Sequence, residues 1–161
     1  SYGYYFGKKA HVEQWKIYYP KRSDYRFIGN ISTKTIQGYR QLPKNGKLLV
    51  ITKSLKDCAC LYGMGIPACA PQSETQFISN TILEDLRQRF DKIVLLFDSD
   101  LTGIHYTNVL RRKYDFLIPC IIPRRYGAKD ISDFYKKYGR KETIKFIKES
   151  IKYIKEWERH S

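Results

Sequence analysis

Two aspartates one residue apart, Asp98 and Asp100, directly follow the apolar run Lys92–Phe97 (KIVLLF). Carboxylates at i and i+2 on a loop at a strand end can both turn toward one hard cation. Mg²⁺ suits this arrangement, because it keeps several waters and takes one or two carboxylates plus phosphate oxygens. Gly103 lets the chain turn closely into the following helix; the competing structural reading makes Asp100 or Thr102 a helix cap. Lys53 stands at the carboxyl end of an earlier apolar run, Lys47–Thr52 (KLLVIT). A lysine there, facing the acidic pair, neutralises it or touches a phosphate. Ser54-Leu55-Lys56-Asp57 has the form of a capping box, with Ser54 as N-cap and Asp57 reaching back. Asp130-Ile131-Ser132-Asp133 has the same form, with Asp130 as N-cap. Glu74, in Pro71-Gln72-Ser73-Glu74, is either a further acid or a surface residue. Arg124, Arg125 and Lys129, just before Asp130, bring positive charge suited to a triphosphate or a nucleic-acid backbone.

Alternating elements are needed to position these residues. The runs 47–52 and 92–97 read as strands buried on both faces, which need not alternate apolar with polar residues. Between them, Leu55–Tyr62 has helical spacing, Ile66–Ala70 reads as a short strand, and Ile78, Ile82, Leu86 and Phe90 mark one face of a helix. A helix over 103–113, a strand near 116–122 and two helices over 131–138 and 141–157 follow. This order predicts an α/β fold, a parallel sheet flanked by helices, in which ligands collect at the carboxyl ends of the strands. Residues 3–29 read instead as short strands with a turn at Pro20–Asp24. The chain thus divides into a basic, tyrosine-rich, β-containing segment 1–46, a core 47–138 and a basic C-terminal helix 139–161.

Among 161 residues, 30 are Lys or Arg and 16 Asp or Glu, for a net charge of +14. The surplus lies in two wings, 1–46 and 99–161, around a neutral centre. In the first wing, Lys8, Lys9, Lys16, Lys21, Arg22 and Arg26 are interleaved with seven of the 14 tyrosines. Cations hold phosphates and rings stack bases, so this pattern suits single-stranded nucleic acid; the alternative is that these rings are packed strand residues. The C-terminal basic run reads as a solvated face, or as phosphate contact. With 42% hydrophobic residues the chain is not disordered. No apolar run is long enough to span a membrane. Cys58, Cys60, Cys69 and Cys120 lack metal or disulfide spacing and read as reduced core thiols of a cytoplasmic protein. No Walker loop, dinucleotide fingerprint or nucleophile pattern is present.

Three blocks, kept in order, resemble the TOPRIM domain as found in phage DNA primases and primase-helicases. They are Ile51-Thr52-Lys53-Ser54-Leu55-Lys56-Asp57, with Gly65–Glu74 after it; Phe97-Asp98-Ser99-Asp100-Leu101-Thr102-Gly103; and Lys129-Asp130-Ile131-Ser132-Asp133. The likeness covers about 47–138 and implies a TOPRIM-like, Rossmann-like sheet, to which the segment reading adds a small β-rich N-terminal extension and C-terminal helices. It further implies divalent metal, Mg²⁺ or Mn²⁺, held by Asp98 and Asp100, with Asp130 as the later aspartate and Glu74 as a candidate to join them. Asp98, Asp100, Lys53 and Asp57 are the catalytic candidates; Lys53, Ser54, Lys56, Lys129, Arg124 and Arg125 are the candidates for nucleotide phosphates. One departure stands out: where most TOPRIM domains have Glu then Gly in the first motif, this chain has Lys53 then Ser54.

The resemblance implies metal-dependent nucleotidyl transfer that makes primers on single-stranded DNA from nucleoside triphosphates. Expected partners are other domains of a larger primase or a replicative helicase, since the chain opens on Ser1 as a piece of something longer. For a phage protein the compartment is the host cytoplasm. The alternatives are a degenerate TOPRIM module that binds nucleic acid without catalysis, favoured by Lys53, and a metal-dependent nuclease on the same scaffold.

Overall fold

The computed structural model describes residues 1–32, 34–72 and 78–158, with side chains through Lys152. The chain forms two compact units, Ser1–Thr35 and Ile36–Ser161.

The first unit is a three-stranded antiparallel sheet, β1 (Tyr2–Lys9), β2 (Val12–Tyr18) and β3 (Phe27–Gly29), in that order. Lys9 pairs with Val12 across a two-residue turn at Ala10 and His11. Both have positive φ (47° and 67°), which lets the turn follow the twist of the flanking strands. His11, inside the segment 3–29 that the sequence reads as short strands, is therefore in the hairpin turn.

The second unit carries a four-stranded parallel sheet, β4 (Leu49–Thr52), β5 (Ala68–Cys69), β6 (Ile93–Leu96) and β7 (Leu117–Pro119), in the order β5-β4-β6-β7. The connecting helices are α1 (Leu55–Gly63), α2 (Asn80–Arg89) and α3 (Leu101–Lys113), followed by the long α4 (Ile131–Glu158). All four residues of β4 and of β6 are buried, because successive side chains enter two different cores. Val50, Val94 and Leu96 pack with Leu61, Ile131, Phe134 and Ile147 of α1 and α4. Leu49, Ile51, Ile93 and Leu95 pack with Leu83, Leu86 and Leu110 of α2 and α3. Burial on both faces is what the unalternating apolar runs express. Ile36 and Leu42 belong to the second core, so residues 36–46 pack with the α/β unit and the contact boundary falls after Thr35.

Helix α4 is interrupted at Gly139 (φ 77°, ψ 175°), so its two arms correspond to the two helices read from sequence. Phe134 and Phe146, on opposite sides of the break, stack with ring centroids 4.8 Å apart. Arg140, read as part of a solvated or phosphate-binding basic run, has a structural task. Its guanidinium donates to the Gly63 and Met64 carbonyls at 2.7 and 3.2 Å, satisfying acceptors at the end of α1. All four cysteines are free thiols, and burial pushes Cys69 and Cys120 up to about 12 and about 11. Among the described residues, no helix is long and apolar enough to cross a membrane.

Candidate active site

From β4 the chain crosses to β5 on one side and later to β6 on the other. The strand order therefore reverses between β4 and β6. A crevice forms outside the carboxyl ends of strands at such a reversal, where neighbouring connections leave in opposite directions. Thr52 is paired with Leu96 at those ends, so Lys53 and Asp98 leave the sheet side by side. Lys53 Nζ lies 2.6 Å from Asp98 Oδ2. Lys129, from the loop before α4, brings its Nζ to 3.3 Å from the same oxygen and 3.4 Å from Asp100 Oδ2. The backbone fixes the two loops together, since Ser99 N donates to the Lys129 carbonyl at 3.0 Å.

Asp98 is 3% exposed, and its Oδ1 has no hydrogen-bond partner among the described residues. A buried carboxylate oxygen without a donor is costly unless a cation serves it. Asp100 does two things. Its Oδ1 accepts from Gly103 N at 2.9 Å as N-cap of α3, while Oδ2 faces Lys129. The Gly103 N–H first, then Lys129, hold the Asp100 carboxyl below the usual carboxylate range; Asp98 in turn raises the Lys129 ammonium. Gly103 must be glycine, because a Cβ there would stand 2.2 Å from the Asp98 carbonyl oxygen.

A second polar cluster lies between α1 and the start of α4. Ser54 caps α1, accepting from Asp57 N at 3.3 Å and donating through its hydroxyl to Asp57 Oδ2 at 2.6 Å. The buried Asp57 carboxylate does not return to the N-cap backbone as a capping box would. Its Oδ1 instead accepts from Ser132 Oγ at 2.5 Å and Ser132 N at 3.3 Å. Burial, then the neighbouring charge of Asp130, pushes the Asp57 carboxyl up. Asp130 caps α4 through Asp133 N at 2.8 Å and pairs with Lys56 Nζ at 2.8 Å. Ser132 stands inside the Asp130-Ile131-Ser132-Asp133 block, but nothing in its local spacing marks it as a partner of Asp57.

Asp98, Asp100, Lys53 and Lys129 are thus brought together, whereas Lys56 and Ser54 belong to the second cluster. Arg124 and Arg125 lie exposed on a 3₁₀ turn, Arg124–Tyr126. No three of His, Cys, Asp or Glu among the described residues group as a metal site, so Asp130 does not complete one with Asp98 and Asp100. Glu74 lies outside the described residues. The two carboxylates still fit one hard cation that shares its shell with phosphate oxygens. The Lys129 side chain that lies against both carboxylates is 56% exposed.

The first unit presents an aromatic ladder. Tyr2, Tyr18 and Phe27 are direct cross-strand neighbours. Tyr18 stacks on Tyr2 and on Phe27, with centroids 6.3 and 4.9 Å apart. Tyr2 and Phe27 remain 59% and 52% exposed. Lys16, expected as a phosphate contact, is buried with its ammonium 4.2 Å above the Phe27 ring, and desolvation lowers its pKa. Its place on the sheet removes it from the set of exposed cations. Lys8 pairs with Glu13 at 3.8 Å, while Arg22 pairs with Asp24 at 3.3 Å and stacks on Tyr25. Lys9, Lys21 and Arg26 are exposed.

The parallel sheet, the strand-end aspartates and the antiparallel N-terminal sheet define a TOPRIM-like α/β fold of the type found in DNA primase catalytic cores. Solved structures bear this out. The primase fragment of the bacteriophage T7 primase-helicase matches 81% of this chain and 55% of its own length, at 14% identity and TM-score 0.56. The Aquifex aeolicus primase, comprising its zinc-binding and RNA polymerase domains, matches 84% of this chain and 36% of its own, at 16% identity and TM-score 0.62. A DnaG primase catalytic domain bound to single-stranded DNA matches 86% of this chain and 47% of its own, at 14% identity and TM-score 0.65. This chain therefore spans about half or less of the length of these three proteins. No protein-family model matches the chain, and no curated protein matches it in sequence.

Proposed function

We propose that this chain is the nucleotidyl-transfer core of a phage-type DNA primase, joining nucleotides from their triphosphates on a single-stranded DNA template. The observation that carries the reading is the meeting of Lys53, Asp98, Asp100 and Lys129 at the β4/β6 strand ends, on a fold shared with primase cores. Asp98 and Asp100 would hold one Mg²⁺ or Mn²⁺, which when bound lowers the pKa of a hydroxyl and offsets phosphate charge. The chain's own residues do the rest. Asp100 stays ionised through its cap on α3 and so keeps a carboxylate at the crevice. Lys129 exchanges Asp98 and Asp100 for phosphate oxygens and steadies the triphosphate. Positioning of this kind supplies much of the rate in phosphoryl transfer. The ladder of Tyr2, Tyr18 and Phe27, with Lys9, Lys21 and Arg26 on the same unit, would hold unpaired template bases and their backbone. Further domains of a longer primase or a replicative helicase would act beside this core.

The missing first-motif glutamate favours a second reading, a nucleic-acid-binding module without catalysis. Calorimetric titration of Mn²⁺ in the presence of a nucleoside triphosphate separates the two. The primase reading expects binding to wild type that disappears in the Asp98→Asn, Asp100→Asn double variant. Absence of binding from both favours the module.

A further inference from the structure

Lys53 holds the position from which most TOPRIM domains extend a glutamate, and its contacts give that exchange a chemical meaning. An acidic third group would leave the crevice strongly anionic, and divalent ions would be required before any phosphate could enter. Here two ammonium groups meet two carboxylates. Lys53 and Lys129 both lie on Asp98 Oδ2, at 2.6 and 3.3 Å, and Lys129 also reaches Asp100. The formal charge of the four is zero without any ion. Lys53 is also the better anchored lysine: it leaves a fully buried strand and its side chain is 31% exposed, against 56% for Lys129. Its ammonium lies on Asp98 and remains partly reachable from solvent. A compact ammonium fixed in that way is a phosphate-binding group.

We infer that Lys53 is a resident cation which binds the polyphosphate of the incoming nucleotide directly, so that this crevice takes polyphosphate without a divalent ion. The inference rests on the reading of the Asp98 loop as a nucleotide site and adds to it the ligand contact and its independence of metal. Lys53 shifts from Asp98 to a phosphate oxygen, or bridges the two, while Asp98 and Asp100 keep room for one ion.

The test is a calorimetric titration of inorganic pyrophosphate, and in parallel ATP, into the chain in excess EDTA. Wild type should bind both. Lys53→Gln should weaken each at least tenfold, and Lys53→Arg should retain most of the affinity. Lys53→Glu should abolish binding in EDTA and, by restoring a third carboxylate, tighten Mn²⁺ binding at least tenfold. Lys53→Arg and the Mn²⁺ response of Lys53→Glu also show that the variants are folded. Equal pyrophosphate affinity in wild type and Lys53→Gln overturns the inference, as does unchanged Mn²⁺ affinity in Lys53→Glu. Binding that requires Mg²⁺ and ignores Lys53 overturns it while leaving the nucleotide site standing. No binding of ATP or pyrophosphate under any condition removes both.

Discussion

Lys53 Nζ and Asp98 Oδ2, 45 residues apart in sequence, meet at 2.6 Å across the carboxyl ends of two adjacent parallel strands. This ion pair ties the residue that ends the first buried strand to the most deeply buried acid of the crevice. Removing one partner of such a pair leaves a buried charge poorly compensated. Lys53→Met should therefore lower stability more than Lys129→Met, because it leaves Asp98 only the longer 3.3 Å contact to an exposed lysine, whereas Lys129→Met should cost less than about 1 kcal/mol. Urea unfolding midpoints of the two variants give the comparison.

Gly103 permits the Asp98 loop to pass against the first turn of α3. With a Cβ placed 2.2 Å from the Asp98 carbonyl oxygen, Gly103→Ala must displace that loop. It should cost at least the ~1–3 kcal/mol of an overpacked site. A midpoint equal to wild type would mean that the close approach is not required.

Asp57 and Asp100 should respond to pH in opposite directions. Asp57 has a raised folded-state pKa, so the folded state binds its proton more tightly. Its contribution is full below the unfolded value of about 4 and is lost as pH rises through the folded value. Asp100 is lowered, so its contribution is present above about 4 and is lost as pH falls through the folded value. Denaturant midpoints measured from pH 3 upward should show Asp57→Asn removing the decline on the alkaline side of this window. Asp100→Asn should remove part of the acid loss. Parallel curves for wild type and both variants would contradict the assignment.

The aromatic ladder makes a separable prediction. Base stacking on a ring is worth about 1–3 kcal/mol, so Phe27→Ser should weaken oligo-dT binding roughly 5- to 150-fold. Its salt dependence should not change, and an abasic oligonucleotide should not register the substitution. A Lys21→Ala, Arg26→Ala variant should instead flatten the salt dependence for both oligonucleotides. Fluorescence anisotropy at several salt concentrations distinguishes them. Equal loss on the abasic strand after Phe27→Ser would reduce the ladder to a packing feature.

Much of this architecture is legible in the sequence because burial on both faces leaves a simple signature. The runs KLLVIT and KIVLLF mark β4 and β6, and whatever follows them must stand at the strand ends. Lys53, Asp98 and Asp100 are found that way. Contacts that depend on how distant elements meet are not written locally. Asp57 reads as a capping-box member, yet its second carboxylate oxygen is taken by Ser132, 75 residues later. Arg140 is one basic residue in a basic run, and only the packing of α1 and α4 gives it two carbonyls to satisfy. The hairpin turn at Ala10 and His11 carries no glycine or asparagine to announce it. Lys16 looks like its neighbouring cations until the sheet places it over Phe27.

The central claim is tested most directly by primer synthesis. The chain is incubated with single-stranded DNA, nucleoside triphosphates and Mg²⁺ or Mn²⁺, and labelled nucleotide incorporation is followed on a gel. Short products should form with wild type and fall at least about 100-fold in Asp98→Asn, Asp100→Asn, the scale of losing a group that stabilises transition-state charge. Single-stranded DNA binding should stay within about twofold, because the ladder lies in the other compact unit. Undiminished synthesis in the double variant would contradict the assignment of the acidic pair. No synthesis by wild type, with DNA binding intact, would leave a binding module on a primase fold.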